Sequence, residues 1–387
     1  MASADILLPQ PASSFGSSQR KRPASLLDDM APNTPKAPAF EPAKHLNFQP
    51  PNKIWTMEEI GFADKGVSPI AVSEPFPLFT TEAIKAMRAE VLSKPVWENC
   101  KYSSNLAKCQ LRGFAPEYAP FVYDVWRSPE VLAIVSKIAG VELVPALDLE
   151  IAHMNISSNT EEQIEAVKQA LAEKTHREAD EGVSGCPWED DDDAQPIVDW
   201  HTDSYPFVCV TMLSDCTNMI GGETALRTGT GGVMKVRGPA MGHAVVLQGR
   251  YIEHQAVRAL GTTERISMVT SFRPKSAFIK DDTVLTTVRP ISDLKELYSQ
   301  YAEYRFEMLE ERIRAQLKEI RERRRARRFD TKATKAFIRE QKAFLESMLK
   351  ELVDDEMVKV GVMDDEENLF SEELLEERRK KAKLLTG

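Results

Sequence analysis

The residues best suited to chemistry lie in the run Asp199-Trp200-His201-Thr202-Asp203. An imidazole and a carboxylate two positions apart at the end of a strand-like run point to one face, because side chains alternate along a strand. They supply two corners of a facial metal site, and the third ligand must come from another part of the chain. His254, fifty-one residues past Asp203 in a second β-like run, can provide it. Two histidines and one carboxylate on one face of an octahedron leave three positions open. That suits Fe(II) that must bind a chelating cosubstrate and dioxygen together. His243 opens the run GHAVVLQG and competes for the third position, but little turn signal follows it and it reads as a structural residue.

A 2-oxo acid that chelates iron leaves its far carboxylate in need of a cation. Arginine serves best, since its planar fork meets a carboxylate at two points and keeps its charge. Arg265 comes eleven residues after His254, and Ser267 shares its face by alternation. The intervening LGTT is a turn signal, so His254 and Arg265 are expected to face each other across a hairpin, with position 254 opposite 267 or 268. Arg258, on the alternating face of His254, is the second choice of anchor.

An H-x-D pair, a distant histidine and R-x-S some ten residues later resemble the 2-oxoglutarate/iron(II)-dependent dioxygenases. Gly221-Gly222-Glu223-Thr224 is similar to the glycine-bearing strand that those enzymes place between their iron ligands. The matching region is residues 198–273. The resemblance implies a double-stranded β-helix (jelly roll) in which His201, Asp203 and His254 bind Fe(II), and Arg265 with Ser267 binds 2-oxoglutarate. His153 and Asn155 fall on the strand that in this family often lines the cosubstrate pocket, with Asn155 a candidate hydrogen-bond donor. The implied reaction consumes O2 and 2-oxoglutarate, yields succinate, and oxidises a substrate by hydroxylation, desaturation or ring closure.

The elements that must position these residues follow from periodicity. Residues 197–272 read as many short strands separated by turn signals, with the β core extending over about 145–275. Helical support is expected over 80–140: TTEAIKAMRAEVLSK with Thr81 as cap, then SPEVLAIVSKIAG with Ser128 as cap and Gly140 as stop. A polar helix, EEQIEAVKQALAEK, precedes an acidic loop at Glu189–Asp193 that reads as solvated and could act as a lid. Residues 276–387 form a C-terminal helical extension. Leu294, Leu297, Tyr301, Tyr304 and Met308 follow a 3–4 stripe there, which needs either the barrel or a second subunit as partner. The overall class is α+β, with a mostly β domain over 56–275. Residues 1–55, rich in Pro, Ser and Ala, are expected to be disordered.

Composition bounds the partners. The 387 residues carry a formal net charge of −10, which disfavours nucleic acid as the main partner. Arg321–Arg328 holds six arginines in eight positions and reads first as the solvated end of a helix. Five cysteines without paired spacing point to reduced thiols, and no run approaches a membrane span or a signal peptide. These features predict an intracellular, cytoplasmic enzyme with a small-molecule substrate, of which an amino acid or a natural-product intermediate is an example. Lys21 with its neighbours in QRKRP leaves a nuclear address open, and the C-terminal helices leave a homodimer open. The competing functions are a protein or nucleic-acid hydroxylase or demethylase, and a silent β scaffold.

Overall fold

A computed structural model describes residues 39–159, 165, 197–217, 219–236, 240–257, 259–260 and 264–362. The QRKRP triplet, the polar helix past 160, the Glu189–Asp193 loop and Arg258 lie outside the described residues. The strands begin with β1 (Ile54–Thr56), β2 (Ile70–Ser73), β3 (Phe76–Pro77), β4 (Lys101–Tyr102) and β5 (Gln110–Leu111). There follow β6 (Leu143–Pro145), β7 (His153–Ser158), β8 (Val198–His201), β9 (Phe207–Met212), β10 (Ile220–Gly221) and β11 (Thr224–Arg227). The last are β12 (Val233–Val236), β13 (His243–Leu247), β14 (His254–Ala256), β15 (Ala259–Leu260) and β16 (Glu264–Pro274).

These strands form a ten-stranded sheet, with main path β1-β2-β13-β9-β16-β7-β5-β4, and a four-stranded sheet, β12-β11-β14-β8. A separate pair joins β10 to β15. Neighbouring strands run antiparallel throughout. The eleven residues of β16 hold the large sheet together, pairing with β9 on one side and with β7 and β6 on the other.

Helices cover the outer face of this sheet: α1 (Thr81–Val91), α2 (Pro120–Arg127) and α3 (Pro129–Ala139). Ser128 caps α3 through Val131 N–H, and Gly140 ends it in the left-handed region at φ 69°, as the sequence predicts. The cap of α1 is Thr80, one residue before the expected Thr81, because Thr80 is the residue in extended backbone. Trp126, Phe272 and Phe79 meet edge to face inside the core between helices and sheet. Burying a side chain of this size stabilises by about 2–3 kcal/mol.

The folded body begins before the expected boundary at residue 55. A one-turn helix, Pro42–His45, buries His45 against Phe40 and Phe121, and β1 pairs with β2. The sparse apolar residues there pack against a surface supplied by distant helices, which local composition does not reveal.

The C-terminal segment forms two long helices, α4 (Leu294–Arg325) and α5 (Thr331–Glu351). The stripe Leu297, Tyr301, Tyr304 and Met308 is buried with Phe344 and Met348 of α5 and with Leu149 and Tyr205 of the β domain. Its partner is therefore within the chain, and the stripe gives no ground for a homodimer. The arginine run is the exposed end of α4, where Arg323 pairs with Glu319 and Asp330.

Candidate metal and anion site

His201 ends β8 and His254 begins β14, and the two stand directly opposite each other in that ladder. Their rings are 4.4 Å apart, centroid to centroid. The ladder is irregular between His254 and Ala256, a bulge of the kind that re-aims a side chain beside a site. Asp203 lies past the end of β8, so the turn as well as strand alternation brings its carboxylate to the histidines. Its Oδ1 is 3.5 Å from His201 Nε2 and its Oδ2 is 3.5 Å from His254 Nε2. One ligand atom from each of the three lies within 4.8 Å of the others.

Both imidazoles are aimed by backbone. His201 Nδ1 sits 2.7 Å from the Asp199 carbonyl, and His254 Nδ1 sits 2.9 Å from the Ile252 carbonyl. A carbonyl only accepts, so each Nδ1 carries a proton and each Nε2 faces Asp203. Burial pushes His254 down to about 4, which keeps it neutral. Burial also opposes charge on His201, but the hydrogen bond to Asp203 and its charge lift that histidine above its usual range. Burial raises Asp203, but the two neighbouring histidines more than offset it and hold the carboxyl below its usual range. Asp203 Oδ2 is nonetheless buried with no hydrogen-bond partner. Two imidazole nitrogens and a carboxylate oxygen with no hydrogen-bond partner among the described residues converge on one point, and this donor set fits Fe(II).

His243, by contrast, opens β13 beside Pro77, with Nδ1 3.4 Å from the Met241 carbonyl, and does not line this cavity.

The cavity is about 140 Å³ and lies between the two sheets. His201, Asp203 and His254 line the side of the small sheet, while Arg265, Ser267, Asn155 and His153 line the large one. Arg265 and His254 are not partners across a hairpin. His254 pairs with His201 and Leu226, whereas Arg265 pairs with Ser157, and the chain crosses from one sheet to the other between them. Just before the expected turn, β15 pairs with β10 at Gly221. Facing sheets bring the two residues to one cavity all the same.

Arg265 is 4% exposed, and Nη1 donates to Ser267 Oγ at 3.2 Å. Its Nε is buried without a partner. The neighbouring acids are engaged elsewhere: Glu264 with Arg88 at 2.8 Å, and Glu253 with Arg227 at 3.4 Å. Burial pushes the Arg265 guanidinium down to about 10, with Cys216 the one opposing influence. It stays charged at neutral pH, a buried cation with no carboxylate partner among the described residues. Asn155 Oδ1, directly across the ladder from Ser267, is likewise buried and unpartnered.

A second polar cluster lines the same cavity and was missed in the sequence. Arg112 and Glu150 form a buried ion pair through both guanidinium nitrogens. Tyr205 donates to Glu150 at 2.8 Å, and Arg112 Nε donates to Ser292 at 2.8 Å. Arg112 Nη1 also approaches His153 Nδ1 at 3.4 Å. A guanidinium only donates, so Nδ1 accepts and His153 is neutral, and burial and Arg112 push it down to about 4. No spacing in the sequence joins residues 112, 150, 205 and 292.

No protein-family model matches the chain, and no curated protein matches it. Solved structures do. One is an oxidoreductase of the 2OG-Fe(II) oxygenase family from Burkholderia pseudomallei: 13% identity, TM-score 0.28, covering 45% of this chain and 63% of that one. Another is SnoN, a non-heme alpha ketoglutarate dependent epimerase from nogalamycin biosynthesis: 11% identity, TM-score 0.32, covering 51% and 76%. AviO1 from Streptomyces viridochromogenes Tue57 is a third, with 14% identity, TM-score 0.32, covering 52% and 89%. The chain is similar to 2OG-Fe(II) oxygenase structures and spans about three-fifths of the first of them. No described helix is long and apolar enough to cross a membrane.

Proposed function

We propose that this chain is an Fe(II)- and 2-oxoglutarate-dependent oxygenase acting on a small organic molecule, and that its facing sheets are a double-stranded β-helix. The observation that carries the reading is the shared cavity. It holds a triad with an unmatched carboxylate oxygen on one sheet and a buried arginine without an acid on the other. His201, Asp203 and His254 hold the iron through Nε2, a carboxylate oxygen and Nε2. Arg265 takes the distal carboxylate of 2-oxoglutarate with Ser267 beside it, and Asn155 orients the bound acid. Bound iron with 2-oxoglutarate and O2 supplies the oxidising chemistry, and the protein's share is orientation and exclusion of water.

The valines of the large sheet, Val208, Val210 and Val269, keep the floor of the cavity dry. A cavity of about 140 Å³ between two sheets favours a small molecule over a macromolecule as substrate. Hydroxylation, desaturation and ring closure are all open to such a site.

Anaerobic addition of Fe(II) and then 2-oxoglutarate to the purified protein should produce a visible charge-transfer band. The band should vanish in His254→Ala and persist in His243→Ala. A protein that gives no band and releases no succinate is not an oxygenase of this kind.

A further inference from the structure

Asp203 lies beyond β8, so no strand ladder fixes its side chain. The segment after β13 holds it instead. The Asp203 N–H donates to the Gly249 carbonyl at 3.0 Å. A Cβ placed on Gly249 would stand 1.8 Å from Asp203 Oδ2, 2.7 Å from its Cγ and 3.1 Å from His254 Cε1. Gly249 is not among the glycines in the left-handed region, so backbone freedom does not explain it. The missing side chain is the space that the carboxylate occupies.

The next residue braces the same turn. Arg250 Nη1 donates to Thr202 Oγ1 at 3.2 Å, between the two ligands, and its Nε donates to the Asp282 carbonyl at 3.0 Å. Tyr251 OH donates to Asp282 Oδ2 at 3.1 Å, and the adjoining Asp281 is paired with Arg305 of α4.

We propose that Gly249 is a positioning residue: its hydrogen side chain leaves the pocket that aims the Asp203 carboxylate at His201 and His254, with Arg250 bracing the turn. This rests on the metal reading above and adds a residue that is not a ligand. The consequence follows from which atoms can move. Backbone on both sides is pinned by the Asp203–Gly249 hydrogen bond and by Arg250. The carboxylate is the tip of a short side chain, and turning about χ1 relieves the clash at low cost. That rotation also takes its oxygens away from both Nε2 atoms. Gly249→Ala should therefore keep the fold and lose the metal.

The test uses Mn(II) as a redox-stable probe, with free Mn(II) read by electron paramagnetic resonance, and thermal unfolding of chelator-treated protein. Wild type should bind Mn(II). Gly249→Ala should bind about 10–100-fold more weakly, the range for residues that orient ligands, while its metal-free midpoint moves by no more than about 4 °C. Gly232→Ala is the control, since a Cβ there meets only Thr228 Oγ1 at 3.4 Å, and it should bind as wild type does. Gly249→Ala binding Mn(II) like wild type overturns the inference. If wild type and Gly232→Ala both fail to bind, the metal reading itself is overturned. If Gly249→Ala does not fold, the double-mutant cycle with Asp203→Ala decides. A clash with the carboxylate makes Gly249→Ala far less damaging once Asp203 is alanine. Equal damage in both backgrounds overturns the inference.

Discussion

Arg265 and Arg305 are both buried, at 4% and 0% exposure, and they differ in what answers the charge. Arg305, on α4, pairs with Asp281 at 3.2 Å and donates to the Phe344 carbonyl and Ser347 Oγ at 3.1 and 2.6 Å. Its guanidinium lies 3.6 Å over the Phe344 ring. Burial pulls Arg305 down, but Asp281 more than offsets this and its pKa is raised. Arg265 has a serine hydroxyl and no acid among the described residues, and burial prevails. A cation answered from within the chain is part of the fold. One left unanswered in a cavity marks where an anion from outside belongs.

Exchanging each arginine for an uncharged residue breaks that comparison if the two behave alike. Arg305→Leu should destabilise by about 3–5 kcal/mol, because it strands Asp281 in the interior. Denaturant unfolding measures it, and a loss below 1 kcal/mol would show that the pair is not a fold element. Arg265→Ala should leave metal-free stability unchanged or raised, since it removes an unmatched charge. The same variant should raise the 2-oxoglutarate requirement about 100-fold, roughly 2.8 kcal/mol, at unchanged iron affinity. Arg265→Lys should recover part of this, having the charge without the fork. An unaltered 2-oxoglutarate dependence of succinate release in Arg265→Ala would move the anchor elsewhere, with Arg258 next in line.

The smallest effect is set by the cavity histidines. His153 and His254 are held at about 4, below the unfolded value near 6.5. Between those limits the unfolded chain binds more protons, so their contribution to stability is present above about 6.5 and is lost as pH falls toward 4. His201 is raised, so its contribution is fully present below about 6.5 and is lost only as pH rises through its folded value, outside this window. Metal-free protein should thus lose stability as pH falls across this window, read by urea unfolding at several pH values. A flat profile would mean that these histidines are not buried neutral.

The site was legible as a set of residue types before it was legible as a shape. His201, Asp203, His254, Arg265 and Ser267 are picked out by spacing within short runs, and all five line one cavity. The hairpin expected between His254 and Arg265 is absent, because a turn signal says that the chain reverses and not which strand receives it. Of the Arg112–Glu150–Tyr205–His153 cluster only His153 left a signal, since the members are joined by contacts across the fold.

The sequence by itself determined the donor set, the caps Ser128 and Gly140, and the long helices with the stripe through Tyr301 and Tyr304. These depend on periodicity and on neighbours within a few residues, which the order of residues records directly. Tertiary structure alone decided that His254 stands opposite His201 in one ladder, that the stripe is covered within the chain, and that Gly249 lies against the Asp203 carboxylate. Each of those depends on ladder register and steric contact between segments far apart in the chain, and such contacts exist only once the sheets have paired.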